Sequence, residues 1–223
     1  ESRLAKMENR GDALEGLKKQ ADAALAEVNR LGARLSAKRR QAAPKLAKDI
    51  SAHLADLGFQ RAVFEVPLAK RDEPARDGLE ELDFQFAPNP GEPLQPLRQI
   101  ASSGEISRVM LAVKSALAEQ DAIPLMVFDE IDANVGGAIS GAVGRKMAAL
   151  AERHQVIAIT HMPQLASLAK SQFVVTKEFD AKRTRSTLSE VKGKDRVAEL
   201  ARMLGGKAES AKAHAESLLA AGR

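Results

Sequence analysis

Apolar and polar residues alternate at helical spacing through the first 43 residues. Apolar side chains recur every seven positions in two interleaved series, which is the a and d pattern of a coiled coil. The a series is Met7, Leu14, Ala21, Val28 and Leu35, and the d series is Arg10, Leu17, Ala24, Leu31 and Lys38. The seam is apolar in its middle and weakens at the charged positions Arg10 and Lys38. We predict a coiled-coil arm with a thin, alanine-containing seam. Its partner strand is expected from another chain or from a missing part of this protein; the alternative is an amphipathic surface helix.

The helical pattern changes at Pro44, which breaks or kinks a helix because proline lacks an N–H and clashes with the preceding turn. A second helix is predicted over residues 45–57, with Gly58 as its stop. Apolar alternation then predicts strands at 63–68 and 82–86, joined by a polar loop. These features divide the chain into a helical arm, 1–57, and a lobe, 58–223.

From residue 100 onward, helices and short apolar strands alternate, as in α/β domains. Helices are predicted at 100–120 and 138–153, and two short apolar strands at 125–128 and 154–160. Continuous apolar runs fit strands buried on both faces of a parallel sheet, so these two strands are expected to be neighbours. The remaining predicted elements are a short helix at 163–170, a hairpin at 173–177 and 184–190, and closing helices at 197–204 and 208–219.

Candidate chemistry lies where these elements meet. Asp129 and Glu130 directly follow the first apolar strand, and His161 follows the second. Ligands of parallel sheets bind beyond the carboxyl ends of the strands, so all three are expected on one rim. Ser102 and Glu105 form a capping box, and an uncovered helix start with small residues binds phosphate. Taken singly, these signals equally fit an acidic turn, a surface histidine and a capped helix.

Composition narrows the class of protein. The chain has 223 residues, of which 44% are hydrophobic and 29% charged, and this balance indicates a globular domain. Cysteine is absent, so disulfides and thiolate metal sites are excluded and a reducing cytoplasm is favoured. No apolar run reaches the about 18 residues that span a bilayer, and no secretory signal is visible. Because the chain starts at Glu1 rather than Met, we expect a fragment.

Charge is concentrated in the arm. Residues 1–48 carry twelve basic and six acidic side chains, a net +6, so the other residues sum to −2 within a total of +4. Such a helix fits contact with DNA phosphates. It also fits the solvated face of a coiled coil, and both interpretations stay open here.

Three runs occur in order: IASSGEISR at 100–108, VFDEID at 127–132 and ITHMPQL at 159–165. Together they resemble the second half of an ABC-type ATPase head of the SMC-like class, and within it the RecN family of bacterial DNA-repair proteins. The likeness covers nearly the whole chain. It implies an α/β fold: the C-terminal lobe of an ABC/SMC-type P-loop ATPase head, preceded by a coiled-coil arm.

The resemblance also implies a role for each candidate residue. The signature motif would contact the ATP held by the opposite head. Its residues are Ser102, Ser103, Gly104 and Glu105. Asp129 would hold Mg²⁺ through water, Glu130 would be the catalytic base, and His161 would be the switch histidine that senses the γ-phosphate.

The sequence departs from this family pattern at three places. Ser103 stands where the family usually has the first of two glycines, and Gly136-Gly137 stands where many ABC proteins carry an aspartate, so no residue is assigned to that role. A P-loop, G-x-x-x-x-G-K-[ST], is absent from these residues, and Gly205-Gly206-Lys207-Ala208 lacks both its spacing and its hydroxyl. The chain alone is therefore predicted to be inactive.

The resemblance implies an ATP hydrolase whose head dimerisation serves DNA double-strand break repair and recombination. The expected cofactors are ATP and Mg²⁺. The expected partners are the missing N-terminal half with the P-loop, a second head in a homodimer, and DNA, with no membrane. The expected location is the bacterial cytoplasm, at the nucleoid. Two alternatives stay open: the head of another SMC or Rad50-like protein, and a non-catalytic coiled-coil scaffold that tethers DNA.

Overall fold

The computed structural model describes residues 2–180, 183–206 and 208–222. Its helices are α1 Ser2–Asp56, α2 Ser103–Ala116, α3 Gly137–Leu150, α4 Pro163–Ala166, α5 Gly193–Met203 and α6 Glu209–Ala221. Its strands are β1 Val63–Glu65, β2 Leu68–Ala75, β3 Gly78–Leu82, β4 Gln85–Ala87, β5 Gln95–Pro96, β6 Leu125–Phe128, β7 Gln155–Ala158, β8 Gln172–Asp180 and β9 Arg183–Val191. A 3₁₀ turn spans Leu97–Gln99.

Two compact units share these elements. The first comprises Glu1–Lys48 and Phe64–Gln85, and the second Asp49–Val63 and Phe86–Arg223. The strand pairs are β2 with β3 and β8 with β9, both antiparallel, and β6 with β7, which is parallel. A further sheet has the strand order β1-β4-β5. The predicted division between arm and lobe after residue 57 stays a prediction.

Helix α1 runs without a break through Pro44, so the predicted separate helix at 45–57 is wrong. A proline inside a helix costs about 3 kcal/mol, but that cost falls on a single turn. Beyond it, Ile50 and Leu54 are fully buried and hold the last turns of the helix in the second unit. The predicted stop is confirmed: Gly58 has φ +95°, and the Phe59 amide donates to the Leu54 carbonyl at 3.0 Å.

The apolar stripe of α1 is open to solvent. Its large side chains are between 38% and 71% exposed; they are Leu14, Leu17, Leu25, Val28, Leu31 and Leu35. A single helix that exposes a continuous stripe of leucine and valine gains little stability in water, because most helical stability comes from burial of such a face. The stripe therefore fits one strand of a coiled coil, and its pairing stays a prediction.

Strands β2 and β3 form a hairpin where a polar loop was predicted, so that prediction is wrong. Leu68 pairs with Leu82 and Ala75 with Gly78, whose φ of +120° closes the turn. The other residues of these two strands are mostly exposed, so the sequence shows no alternation of apolar and polar side chains that would predict them. The pattern therefore carries little signal for a two-stranded ribbon of this kind.

The same hairpin packs on α1 within the first unit. A Cβ on Gly32 would lie 2.5 Å from Leu79 Cγ, so only a glycine lets the hairpin approach the helix at this point. Arg40 of the helix forms a 3.0 Å ion pair with Glu80, which is only 4% exposed. A close backbone approach thus explains a glycine in the middle of a long helix.

Two glycine substitutions in α1 test this contact. Gly16→Ala should raise the free energy of unfolding by up to about 1 kcal/mol, because alanine favours the helix and no atom lies within 4 Å of the new methyl group. Gly32→Ala should instead lower it by about 1–3 kcal/mol, because its methyl group displaces Leu79. Urea unfolding of both variants measures the difference. Equal shifts of the same sign would contradict the packing described.

Strands β6 and β7 are parallel neighbours, as predicted. Leu125 pairs with Gln155 and Phe128 with Ala158, and the Ile159 amide continues the ladder to the Phe128 carbonyl at 3.0 Å. The predicted burial of both faces is wrong, because only one face is covered: Met126 is 6% exposed, but Val127 is 58% exposed. The sequence shows an apolar run but not which element covers each side of it.

The uncovered side is a continuous apolar patch, which we call the open sheet face. Its four side chains are 44–58% exposed; they are Leu125, Val127, Ile157 and Ile159. Exposed apolar patches on a sheet mark interaction surfaces more often than free ones.

The C-terminal elements form a small core of their own. Leu200 and Ala215 of α5 and α6 are fully buried with Ala166 of α4. Arg196 ties α4 to α5, because its guanidinium donates to the carbonyls of Ala166, Ser167 and Ala169 at 2.7–3.2 Å. The predicted hairpin is confirmed as β8 and β9, with longer strands. Within the described part of the chain, no helix has the length and apolar character needed to cross a membrane.

Candidate functional site

The N-terminus of α2 begins at the predicted cap. Ser102 has extended backbone angles, and its Oγ accepts from the Glu105 amide at 3.3 Å. The Ile106 amide donates to the Ser102 carbonyl at 3.0 Å and closes the first turn. The amides of the first residues of a helix have no acceptor within the helix, so this end remains suited to an anion.

Gly104 brings this helix end against the loop that follows β6. A Cβ on Gly104 would lie 2.9 Å from Ala133 Cβ and 3.2 Å from the Glu130 carbonyl oxygen. A backbone atom cannot yield as a side chain can, so a larger residue would push the helix away from the loop. The glycine of the signature-like run is therefore explained by packing inside one chain.

Two further side chains of α2 hold the same loop, and sequence reasoning missed both. Ser107 Oγ donates to the Asp129 carbonyl at 3.0 Å. Arg108 donates to the carbonyls of Ala133 and Ile131 at 3.0 and 3.4 Å. The Arg108 guanidinium is buried, and its central carbon lies 5.1 Å from the centroid of the Phe59 ring. Burial lowers the pKa of Arg108, and the negative charge of Glu105 offsets part of that effect. The available signal was an arginine on the apolar side of a helix.

The two predicted carboxylates are solvent-exposed at the end of β6. Glu130 has a φ of +54°, a left-handed conformation that costs a side-chain-bearing residue about 1 kcal/mol or more. Its Oε2 accepts a hydrogen bond of 2.5 Å from Ser103 Oγ, the first residue of α2. The structure thus joins one predicted signature residue to the predicted base within a single chain.

Asp132 organises the end of the neighbouring strand. It is only 2% exposed, and its Oδ2 accepts from the Thr160 hydroxyl and, at 3.2 Å, from the His161 amide. His161 Nδ1 lies 3.5 Å from the same oxygen, although the His161 side chain is 75% exposed. The Met162 amide donates to Thr160 Oγ1 at 2.9 Å. Asp132 therefore fixes the turn that carries the predicted switch histidine.

Sequence reasoning assigned no role to Asp132. The available signal was its position between Ile131 and Ala133, since an acid within an otherwise small and apolar turn usually has a buried partner. Its neighbours Gly136 and Gly137 begin α3, where Gly136 is the N-cap and contributes no side-chain hydrogen bond. Lys207 of the glycine-rich run lies outside the described residues.

Replacing Asp132 should weaken this turn. Asp132→Ala leaves the Thr160 hydroxyl and the His161 amide without their acceptor, and an unsatisfied buried polar group costs about 1–3 kcal/mol. Asp132→Asn should cost less, because the amide oxygen still accepts. Urea unfolding of both variants measures the costs. Equal losses for alanine and asparagine would show that these hydrogen bonds contribute nothing.

The side chains at the end of β6 can be compared with what a Mg²⁺ site requires. In the described residues, no group of three histidine, cysteine or acidic side chains is arranged to hold a metal ion. Mg²⁺ keeps several waters and binds proteins through one or two carboxylates together with substrate phosphates. The exposed Asp129 carboxylate at a strand end fits that requirement, and the N-terminus of α2, which suits an anion, lies beside its loop.

No protein-family model matches the sequence. Curated relatives do match. The DNA repair protein RecN of Deinococcus radiodurans is 40% identical over 205 residues, which are 92% of this chain and 36% of the relative. RecN of Streptomyces coelicolor is 38% identical over 218 residues, which are 92% of this chain and 38% of the relative. RecN of Bacillus subtilis is 34% identical over 236 residues, which are 98% of this chain and 41% of the relative.

Solved structures agree in fold. The Smc head domain with a coiled coil and joint from Pyrococcus yayanosii has a TM-score of 0.59 at 19% identity, over 90% of this chain and 36% of that one. The Smc head domain with an extended coiled coil from Pyrococcus furiosus, bound to the C-terminal domain of ScpA, has a TM-score of 0.54 at 18% identity, over 84% and 44%. At such identities the likeness concerns the fold alone, and it confirms the predicted fold class.

The chain spans about two fifths of the length of the curated relatives it matches. The ordered runs at 100–108, 127–132 and 159–165 lie at one end of a parallel strand pair and at the adjoining helix start, in a fold shared with Smc heads. On this sequence similarity, the chain belongs to the RecN family.

Proposed function

We propose that this chain is the C-terminal half of an SMC-like ATPase of the RecN type. In the full-length protein, ATP binding and hydrolysis would drive head dimerisation during DNA double-strand break repair and recombination, in the bacterial cytoplasm at the nucleoid. One observation carries the proposal: the first turn of α2 lies directly on the acidic loop after β6, with Ser103 bonded to Glu130. Two motifs 27 residues apart are thereby placed side by side.

The chemistry assigned to the site follows from its side chains. ATP with Mg²⁺ supplies, when bound, the phosphoryl group and the cation that offsets its charge. Asp129 would hold the hydrated ion, and Glu130 would accept a proton from the attacking water. His161, held by Asp132, would contact the γ-phosphate. The end of α2, from Ser102 to Glu105, would face the ATP of the opposite head.

The open sheet face is an argument for a second lobe that would cover it. Leu125, Val127, Ile157 and Ile159 expose a patch that a folded α/β protein normally covers. We propose that the N-terminal half, with the P-loop, packs on this face. The exposed stripe of α1 would pair with the coiled-coil strand that leads back from that half.

DNA is proposed as the substrate of the whole protein. The relatives are DNA repair proteins by name. The net charge of +6 on residues 1–48 fits contact with phosphates, and a solvated coiled-coil face fits it equally.

The missing P-loop allows a direct test of whether ATP binding requires both this chain and the proposed N-terminal half. This chain alone should not bind ATP tightly, because a P-loop supplies most phosphate contacts. Full-length protein should bind it and dimerise in response. Titration with a fluorescent ATP analogue, followed by light scattering after size exclusion, measures both. Micromolar affinity of the segment alone, or no ATP response of the full-length protein, would overturn the proposal.

A further inference from the structure

The hydrogen bond between Ser103 and Glu130 joins two groups that would serve different ATP molecules. In the proposed dimer, Glu130 acts on the ATP bound by its own head, whereas Ser103 faces the ATP bound by the opposite head. Yet Ser103 Oγ and Glu130 Oε2 lie 2.5 Å apart in one chain. A distance of 2.5–2.7 Å is typical of a hydroxyl that donates to a charged carboxylate.

The backbones at both ends of this bond are fixed. Gly104 lies against the Glu130 carbonyl, the Ala133 amide donates to that carbonyl at 3.0 Å, and Arg108 is bonded to the carbonyls of the same loop. The bond can therefore break only by rotation of the two side chains. Both side chains are exposed, so the carboxylate can turn toward solvent and the hydroxyl can turn toward another acceptor.

A triphosphate is such an acceptor. It arrives at a helix N-terminus, where anions are favoured, and it offers several charged oxygens to one hydroxyl. Glycine at position 103, which the family resemblance leads one to expect, has no hydroxyl and forms no such bond. The exchange therefore depends on the one residue at which this signature-like run departs from its family.

We propose that Ser103 couples the two ATP sites of the head dimer. Without ATP on the opposite head, its hydroxyl holds Glu130 away from the water that Glu130 must activate. When the opposite head presents its triphosphate, Ser103 donates to a phosphate oxygen instead and Glu130 is released. Hydrolysis at one site then depends on occupancy of the other. This inference rests on the proposed function of the site.

Mixed dimers of full-length protein give the test. One head carries a disabled P-loop, so only its partner binds ATP, and the ATP-bearing head keeps its own Glu130 bound to Ser103. Ser103→Ala in the ATP-bearing head should raise turnover about fivefold, the rate ratio that corresponds to a net hydrogen bond of about 1 kcal/mol. The matched control is the same substitution in the other head, whose Ser103 faces the bound ATP; it should not raise turnover.

Homodimers give a second readout. With two coupled sites, the ATP dependence of wild-type turnover should be sigmoidal, with a Hill coefficient between about 1 and about 2. Ser103→Ala and Ser103→Gly should lower this coefficient, and Ser103→Thr, which keeps the hydroxyl, should leave it at the wild-type value. Glycine serves as a second variant because it suits this helix start. A hyperbolic wild-type curve would overturn the coupling. So would a Ser103→Ala variant that changes neither turnover in mixed dimers nor the Hill coefficient of homodimers.

Failure of the coupling and failure of the proposed function are distinguishable. If Glu130→Gln hydrolyses ATP at the wild-type rate, the site itself is misassigned. If Glu130→Gln is inactive while Ser103→Ala changes neither turnover in mixed dimers nor the Hill coefficient, only the coupling is wrong.

Discussion

Glu130→Gln in the full-length protein is expected to lower ATP turnover by about a hundredfold or more. Loss of a positioned general base typically costs this much, because the carboxamide keeps the size of the side chain but not its basic oxygen. Binding should survive, since the substitution removes no phosphate contact. The variant should therefore accumulate as an ATP-bound dimer, visible by light scattering after size exclusion.

A surface acid provides the control for that experiment. Glu152 is exposed just beyond the end of α3, so Glu152→Gln makes the same chemical change away from the site. It should leave turnover unchanged. Wild-type turnover in Glu130→Gln would exclude Glu130 as the base, and equal losses in both variants would point to a loss of folded protein.

Ser102→Arg is expected to abolish ATP-dependent dimerisation and hydrolysis while ATP binding by single heads stays nearly intact. The guanidinium would fill the space at the start of α2 that the opposite triphosphate must enter. Ser102→Ala separates this effect from loss of the cap, since it removes only the acceptor of the Glu105 amide. It should cost about 1 kcal/mol of stability. Its turnover per folded molecule stays unchanged if the segment is only a helix cap.

Mixing Ser102→Arg with a P-loop variant gives the sharper result. In such a dimer one composite site carries both lesions and the other carries neither, so partial hydrolysis should return. Recovery should stay below that of one wild-type site, because Ser103 of the ATP-bearing head still holds its Glu130. No recovery at any mixing ratio, with both proteins folded and able to pair, would falsify an in-trans role of this segment.

The sequence was sufficient where a local signal had one physical meaning. The cap at Ser102, the stop at Gly58 and the parallel pairing of β6 with β7 all followed from rules about backbone groups and strand ends. It was insufficient where the outcome depended on a neighbour. Pro44 lies inside a helix whose buried end outweighs the local penalty, and β2 and β3 form a ribbon without apolar alternation.

The candidate site divides in the same way. Asp129, Glu130 and His161 could be proposed as site residues because they follow apolar strands, and their roles stay predictions; the position of Asp132 suggested a buried partner, but only the fold identifies it. Its acceptor role depends on Thr160, 28 residues further along the chain, and on a strand register that the sequence does not specify. The bond between Ser103 and Glu130 was invisible for the same reason: it needs Gly104 to bring the helix to the loop.

The open sheet face has a practical consequence for anyone who produces this segment alone. Val127 in β6 and Ile159, directly after β7, are both 58% exposed and would face water when the chain is alone. Exposed apolar patches promote association between molecules, so the chain alone should precipitate as its concentration rises. Lysine at these two positions would keep it in solution but would weaken packing of the proposed N-terminal half. Co-expression with that proposed half would test whether it covers the face without altering the sequence.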